Sequence, residues 1–201
     1  ITIGIFAVIS VFTVFDSLER QIRSSIEQLG QKVLFIQKWP WAMGQSDYPW
    51  WKYMNRPQPD VDELETILAQ SQSVANASYM TGINRTAEKG SVALNNSVIL
   101  GVSYQYDRVM SFDIVRGRYF TQNEMQGGAS VGLIGSKVKE TLFGDFEDIG
   151  KTIKIGGRKV RVIGTLKEEG DDSFGDSHDW RVIVPVYFLR QIADLENVNA
   201  S

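Results

Sequence analysis

The chain has 201 residues, 43% hydrophobic and 22% charged, enough to bury a core as one large domain or two small ones. A formal net charge of −3 argues against a basic nucleic-acid binder or a polybasic membrane-surface module. Cysteine is absent, which excludes disulfide scaffolds, thiol nucleophiles and Cys-ligated zinc, but it fits the cytosol and an oxidising compartment equally. The single histidine, His178, leaves no His pair for zinc, and any Ser-His-Asp triad would have to use it.

Residues 1–15 (ITIGIFAVISVFTVF) carry no charge, and only Thr2, Ser10 and Thr13 are weakly polar. A bilayer span takes about 20 apolar residues, so the run reads as the C-terminal part of a membrane helix. A signal peptide would add a basic region and a small-residue cleavage site, and neither is visible. A buried core helix is the other rival. The pattern does not stop at Phe15, and its continuation favours the membrane helix. Phe15, Leu18, Ile22, Ile26 and Leu29 recur at spacings of three and four, with Asp16, Glu19, Arg20, Arg23 and Glu27 between them. This is an amphipathic pattern, and Gly30 is placed to end it. The spacing predicts one continuous helix from about Thr2 to Leu29. It would be about 40 Å long, half of it projecting from the membrane as a stalk.

Beyond Gly30, residues 32–37 (KVLFIQ) read as a strand. An aromatic, proline-rich loop runs from Trp39 to Pro59. Asp60 opens a helix with Glu63 three residues on, as in a capping box. Val61, Leu64, Ile67 and Leu68 form its apolar face, and it ends near Gln72. Val74 to Ile83 is the next expected strand, completing a β-α-β unit on the stalk. From Asn84 the texture changes to short strands and tight turns. Val92–Leu94 and Val98–Val102 flank Asn95-Asn96, a candidate hairpin turn because Asn tolerates positive φ. Tyr104–Met110 reads as a short helix, and Phe112–Val115 and Val131–Ile134 as strands. Ser136 reads as the cap of a helix to Phe143. Thr152–Ile155 and Lys159–Leu166 form a hairpin across Gly156-Gly157. An acidic loop spans Glu168 to Asp179. Arg181–Val184 is a strand stopped at Pro185, and Val186–Leu195 a helix. The mixture is α+β.

Chemistry-bearing motifs are few. The sequence shows no Walker-type phosphate loop, no GxGxxG after a strand and no GxSxG elbow, and so no visible means of ATP hydrolysis. The acids Glu168, Glu169, Asp171, Asp172, Asp176 and Asp179 surround His178, but DDSFGDSHD does not match the EF-hand spacing. The loop therefore reads as solvated, with no catalytic metal; a metal site is the rival. Four of the five tryptophans, Trp39, Trp41, Trp50 and Trp51, lie in the aromatic loop with Tyr48 and Tyr53. Such residues either fold back on their own lobe or contact a protein partner, a membrane interface or a sugar. At least two are expected to pack inward and at least one to stay exposed.

Several stretches carry a family resemblance in order. Residues 4–37 (GIFAVISVFTVFDSLERQIRSSIEQLGQKVLFIQ) come first, then Phe112–Thr121 (FDIVRGRYFT) with its Gly-Arg-x-Phe segment. Then come Val131–Gly135 (VGLIG), Leu142-Phe143-Gly144, Asp148–Lys151 (DIGK), Val162-Ile163-Gly164 and Val182–Pro185 (VIVP). The ordered set resembles the extracytoplasmic domain of MacB/FtsX-type ABC-transporter permeases. The resemblance implies a domain without catalytic, cofactor or metal residues. It implies a bacterial inner-membrane subunit, this part lying in the periplasm or outside the cell. The implied partners are a cytoplasmic ABC ATPase, a second permease subunit in a homodimer, an adaptor protein and the membrane, but no nucleic acid. The implied function is mechanotransmission, the relay of ATP-driven motion for export or release of a substrate. The implied architecture has two lobes: residues 1–30 as membrane and stalk helix, 31–83 with 180–201 as a porter-like β-α-β lobe, and 84–179 as an inserted, strand-rich lobe. Family domains usually continue with a further strand and helix, so the first lobe is expected to be incomplete at its C-terminal end. A membrane-anchored binding module using the aromatic loop 39–53 is the alternative function. A hydrolase using His178 is disfavoured, since that residue would have to serve alone among poor partners.

Overall fold

The computed structural model describes residues 11–15, 17, 33–38, 51, 55–170 and 177–193. Between Glu63 and Ile192, seven strands alternate with five short helices. In chain order they are α1 (Glu63–Gln70), β1 (Met80–Lys89), β2 (Val92–Val102), α2 (Tyr106–Val109), β3 (Ile114–Gly117) and α3 (Gln122–Gln126). Then come β4 (Val131–Ile134), α4 (Ser136–Phe143), β5 (Thr152–Ile155), β6 (Arg158–Leu166), β7 (Arg181–Pro185) and α5 (Val186–Ile192).

All seven strands belong to one sheet, in the order β3-β6-β4-β7-β2-β1-β5, and β5 also pairs with β6. The pairing therefore runs in a closed circuit through β6, β4, β7, β2, β1 and β5. The long β6 makes this possible. Its first half takes β5 antiparallel, with Lys154 opposite Lys159, and its second half takes β3, with Gly117 opposite Gly164. Its other edge takes β4 in parallel, and β2 and β7 form the second parallel pair.

Alternation along the central strands sorts side chains into two cores, as the pleat requires. Ile99, Ile134, Val160, Val162, Val182 and Val184 meet Val138, Leu142 and Phe143 of α4 and Phe188 and Leu189 of α5. Leu100, Val102, Leu133, Ile163 and Ile183 meet Tyr106, Met110, Phe120 and Met125. With both faces covered, β4 and all but the first residue of β7 are fully buried.

Several expectations are corrected. The boundaries at 83/84 and 179/180 do not separate sheets: β1 crosses the first and pairs with β2 throughout, and β7 lies between β4 and β2. The described strands form one sheet, in which β7 supplies the central buried ladder on which both faces pack. Residues 33–38 are not in the sheet. Phe35 packs on the aromatic core while Leu34 and Ile36 are exposed, so their alternation reflects one-sided packing. The first hairpin turns at Gly90-Ser91, with Lys89 opposite Val92. Asn95-Asn96 lies inside β2, where the register against β1 shifts between Arg85 and Ala87. Asn96 does adopt positive φ, 56°, but in a β-bulge. The hairpin at Gly156-Gly157 is as expected, with φ of 54° and 82° suited to a two-residue turn. The expected strand at 74–83 begins only at Met80 and runs to Lys89.

The expected stalk lies largely outside the described residues. Val11–Phe15 are helical, and Phe15 is exposed. Leu18, Ile22, Ile26 and Leu29 are outside the described set, as are Trp39, Trp41 and Trp50. Among the described residues no helix is long and apolar enough to cross a membrane.

Candidate functional site: the clasped His178 loop and the family motifs

The acidic loop between β6 and β7 is closed at its neck by a buried polar cluster. His178 is only 3% exposed, as is Asp179. The His178 backbone N–H donates to Glu169 Oε2 at 2.8 Å, and its Nδ1 lies 3.1 Å from the same oxygen. Its Nε2 is 2.9 Å from the Tyr106 hydroxyl. Both ring nitrogens therefore have a partner, the carboxylate at Nδ1 and the phenol at Nε2. Tyr106 and Phe112 rings pack around the imidazole, at 6.2 and 5.6 Å between centroids.

Asp179 ties the other side. Its Oδ1 accepts from Ser136 Oγ at 2.8 Å and from the Glu169 N–H at 3.1 Å, and its Oδ2 accepts from the Gly170 N–H at 3.0 Å. Burial pushes this carboxyl up, but the hydrogen bonds from Glu169, Ser136 and Gly170 more than offset it, and its pKa is lowered. The Asp179 carbonyl accepts the Lys137 and Val138 N–H groups at 3.0 and 3.2 Å, satisfying orphan donors at the start of α4. Ser136 is therefore not the cap of α4; Gly135 holds that position. A Cβ at Gly135 would lie 2.1 Å from the His178 carbonyl oxygen, so this neck demands glycine.

The expectation of a fully solvated loop is corrected at both ends, since paired carboxylates and a doubly bonded imidazole can be buried where free ones cannot. Residues 171–176 lie outside the described set. Among the described residues no three His, Asp or Glu side chains converge as metal ligands. Ser136 bonds Asp179, while His178 bonds Glu169 and Tyr106, so among the described residues no serine sits on the imidazole as a nucleophile would. The chemistry of this arrangement is fastening.

The family motifs do the same work around β6. In the Gly-Arg-x-Phe stretch, Arg116 Nη1 lies 3.0 Å from Oδ1 of the fully buried Asp148, close enough to pair but off the angle of a hydrogen bond. The Thr165 hydroxyl donates to the other oxygen of Asp148. Gly117 has φ of 83°, and a Cβ there would meet the Ile163 carbonyl oxygen at 2.1 Å. Phe120 is buried in the aromatic core. Thr121 caps α3 in a full capping box with Glu124, which also takes both guanidinium nitrogens of Arg118 at 2.8 Å. Sequence reading missed α3, although Thr-x-x-Glu is its signature. It also missed the Arg116–Asp148 pair, whose members are 32 positions apart. Burial pushes the Tyr119 phenol up.

Of the tryptophans and tyrosines in the aromatic loop, Trp51 is the one described, and it is 59% exposed.

The family model described as "MacB-like periplasmic core domain" matches residues 1–200. The macrolide export ATP-binding/permease protein MacB of Neisseria gonorrhoeae is 29% identical over 181 residues, covering 88% of this chain and 26% of that protein. The pyoverdine export ATP-binding/permease protein PvdT of Pseudomonas syringae pv. tomato is 26% identical, covering 92% of this chain and 27% of that protein. The chain thus spans about a quarter of the length of these relatives. The extracellular domain of the noncanonical ABC-type transporter YknZ from Gram-positive bacteria superposes with a TM-score of 0.57 at 27% identity, over 65% of this chain and 64% of that one. The periplasmic region of MacB from Actinobacillus actinomycetemcomitans gives 0.58 at 17% identity, over 67% and 58% of the two chains, and supports the fold. The mixed α+β sheet, the ordered motifs that fasten it and the match over residues 1–200 agree: the chain belongs to the family of MacB-like periplasmic core domains.

Proposed function

We propose that the chain is the extracytoplasmic part of an export permease, relaying ATP-driven motion as a rigid body. The observation that carries this is the single sheet covered on both faces, with its loops pinned by buried polar clusters. Such a body transmits displacement with little internal loss, because close-packed cores resist deformation. The ATPase, a second copy of the permease and an adaptor are its partners in this reading, and the stalk formed by Phe15, Leu18, Ile22, Ile26 and Leu29 is its mechanical link. The chain has no cysteine, so in a full-length protein whose other cysteines are replaced, cysteines placed at the exposed Phe146 and Trp180 report selectively on it. Spin-label distances in the full-length protein test the relay. Distances between copies should change with ATP while the Phe146–Trp180 distance within a copy stays fixed. A nucleotide-driven change inside the domain, with none between copies, would overturn it.

The exposure of Trp51 motivates a second reading, a binding module using the aromatic loop. Trp51→Ala would then abolish capture of a partner, whereas the relay reading expects export to survive it.

A further inference from the structure

We propose that the outer face of β1, β5 and β6 is a docking surface for an acidic, extended segment of another protein. Between Gly150 and Leu166 lie five cations, Lys151, Lys154, Arg158, Lys159 and Arg161, and no acid, in a chain whose net charge is −3. Lys154 and Lys159 are directly opposite on β5 and β6, and Thr152 is opposite Arg161. All four side chains are exposed, since Ile153, Ile155, Val160 and Val162 take the inward positions. Like charges facing each other across a ladder are destabilising. Glu88, the cross-strand partner of Lys154, offsets part of that repulsion, but among the described residues Lys154, Lys159 and Arg161 form no ion pair.

The shape gives the occupant its chemistry. Glu88, Lys89, Gly90, Thr152, Lys154 and Lys159 line an open depression of about 220 Å³. Lys89 reaches across to the Phe143 ring at 3.9 Å and lies 5.9 Å from that of Phe146, which is 76% exposed. A carboxylate side chain fits between the lysines while an apolar neighbour covers Phe146. A lipid headgroup plane fits less well, because the depression is concave and Glu88 would repel anionic headgroups. This surface is independent of the motion relay proposed above.

The test uses the full chain and a labelled glutamate-rich peptide with one central phenylalanine. Binding should weaken about tenfold in the double variant K154E/K159E and fall as salt shortens the Debye length towards about 8 Å. The variant K167E, about 25 Å away along β6, should bind as the parent does. Both double-variant sites are exposed, and an unchanged thermal midpoint confirms the fold. Absence of peptide binding, or equal binding by K154E/K159E, overturns the proposal. Binding to phosphatidylglycerol vesicles that K154E/K159E abolishes would also overturn it, assigning the face to lipid.

Discussion

One face of the sheet is sealed almost entirely by aliphatic side chains from β2, β4, β6 and β7 against α4 and α5, with Phe143 and Phe188 among them. The other face packs Tyr106, Phe112, Tyr119 and Phe120 against the same strands, with His178 in the aromatic cluster. The first face carries the regular helices α4 and α5. The second carries loops, and loops bring backbone and charged groups that need partners when buried. His178, buried there, closes the neck of the acidic loop. Hydrophobic burial thus dominates the first face, where the Asp179 carbonyl fastens the start of α4, while the second also buries the hydrogen-bonded His178 side chain.

The largest test truncates the aliphatic face. Phe188 is completely buried, and Phe188→Ala should cost about 3–5 kcal/mol, read from the urea midpoint. Since both cores share one sheet, the loss should be cooperative and also remove the near-ultraviolet signal of the aromatic face. If that signal survives, the two faces unfold separately and the picture of one rigid body fails.

At the neck of the loop, Gly135→Ala should cost about 1–3 kcal/mol, because the new methyl meets two carbonyl oxygens within 2.3 Å. Unlike Phe188→Ala, it should open the neck first. Limited proteolysis checks this: cleavage should appear between positions 170 and 178 before any elsewhere. Uniform cleavage across the chain would show that the neck is not a local fastening.

His178→Ala separates structure from function on the aromatic face. It leaves Glu169 and Tyr106 without their shared partner and should cost about 1–3 kcal/mol in stability. Export by the full-length protein should remain essentially intact, as expected of a fastening residue. Loss of export with unchanged stability would give the imidazole a direct role.

The aliphatic face was the more legible from sequence. β4, β7 and the β5–β6 hairpin were placed within a residue or two, because short buried runs and paired glycines give unambiguous local signals. β1 was placed too early, since only Ile83 and Ala87 along it are buried and its other positions are polar or small, which weakens the period-two pattern. That the described strands on both sides of 83/84 and 179/180 share one sheet was not legible, because pairing between distant strands leaves no local trace. The aromatic face was less legible for the same reason. Tyr106–His178 and Arg116–Asp148 join residues far apart in sequence, and His178 read alone suggested only an exposed loop.

The smallest effect should come from α3, where the aromatic face meets solvent. Hydrogen bonds from Arg118 and Thr121 hold the Glu124 carboxyl at about 2, below its ordinary 4.5. The folded state thus favours the ionised form, so its stabilisation is fully present above about pH 4.5 and is lost as pH falls towards 2. Arg118 is half exposed, and solvent screening reduces what the ion pair adds to the cap. Glu124→Gln keeps the shape but loses the charge, and should lower stability by about 1 kcal/mol or less at neutral pH. Its difference from the parent should shrink as acid protonates Glu124, so the two stability curves converge towards pH 2. Parallel curves across that window would show that the capping box depends on geometry alone, without help from charge.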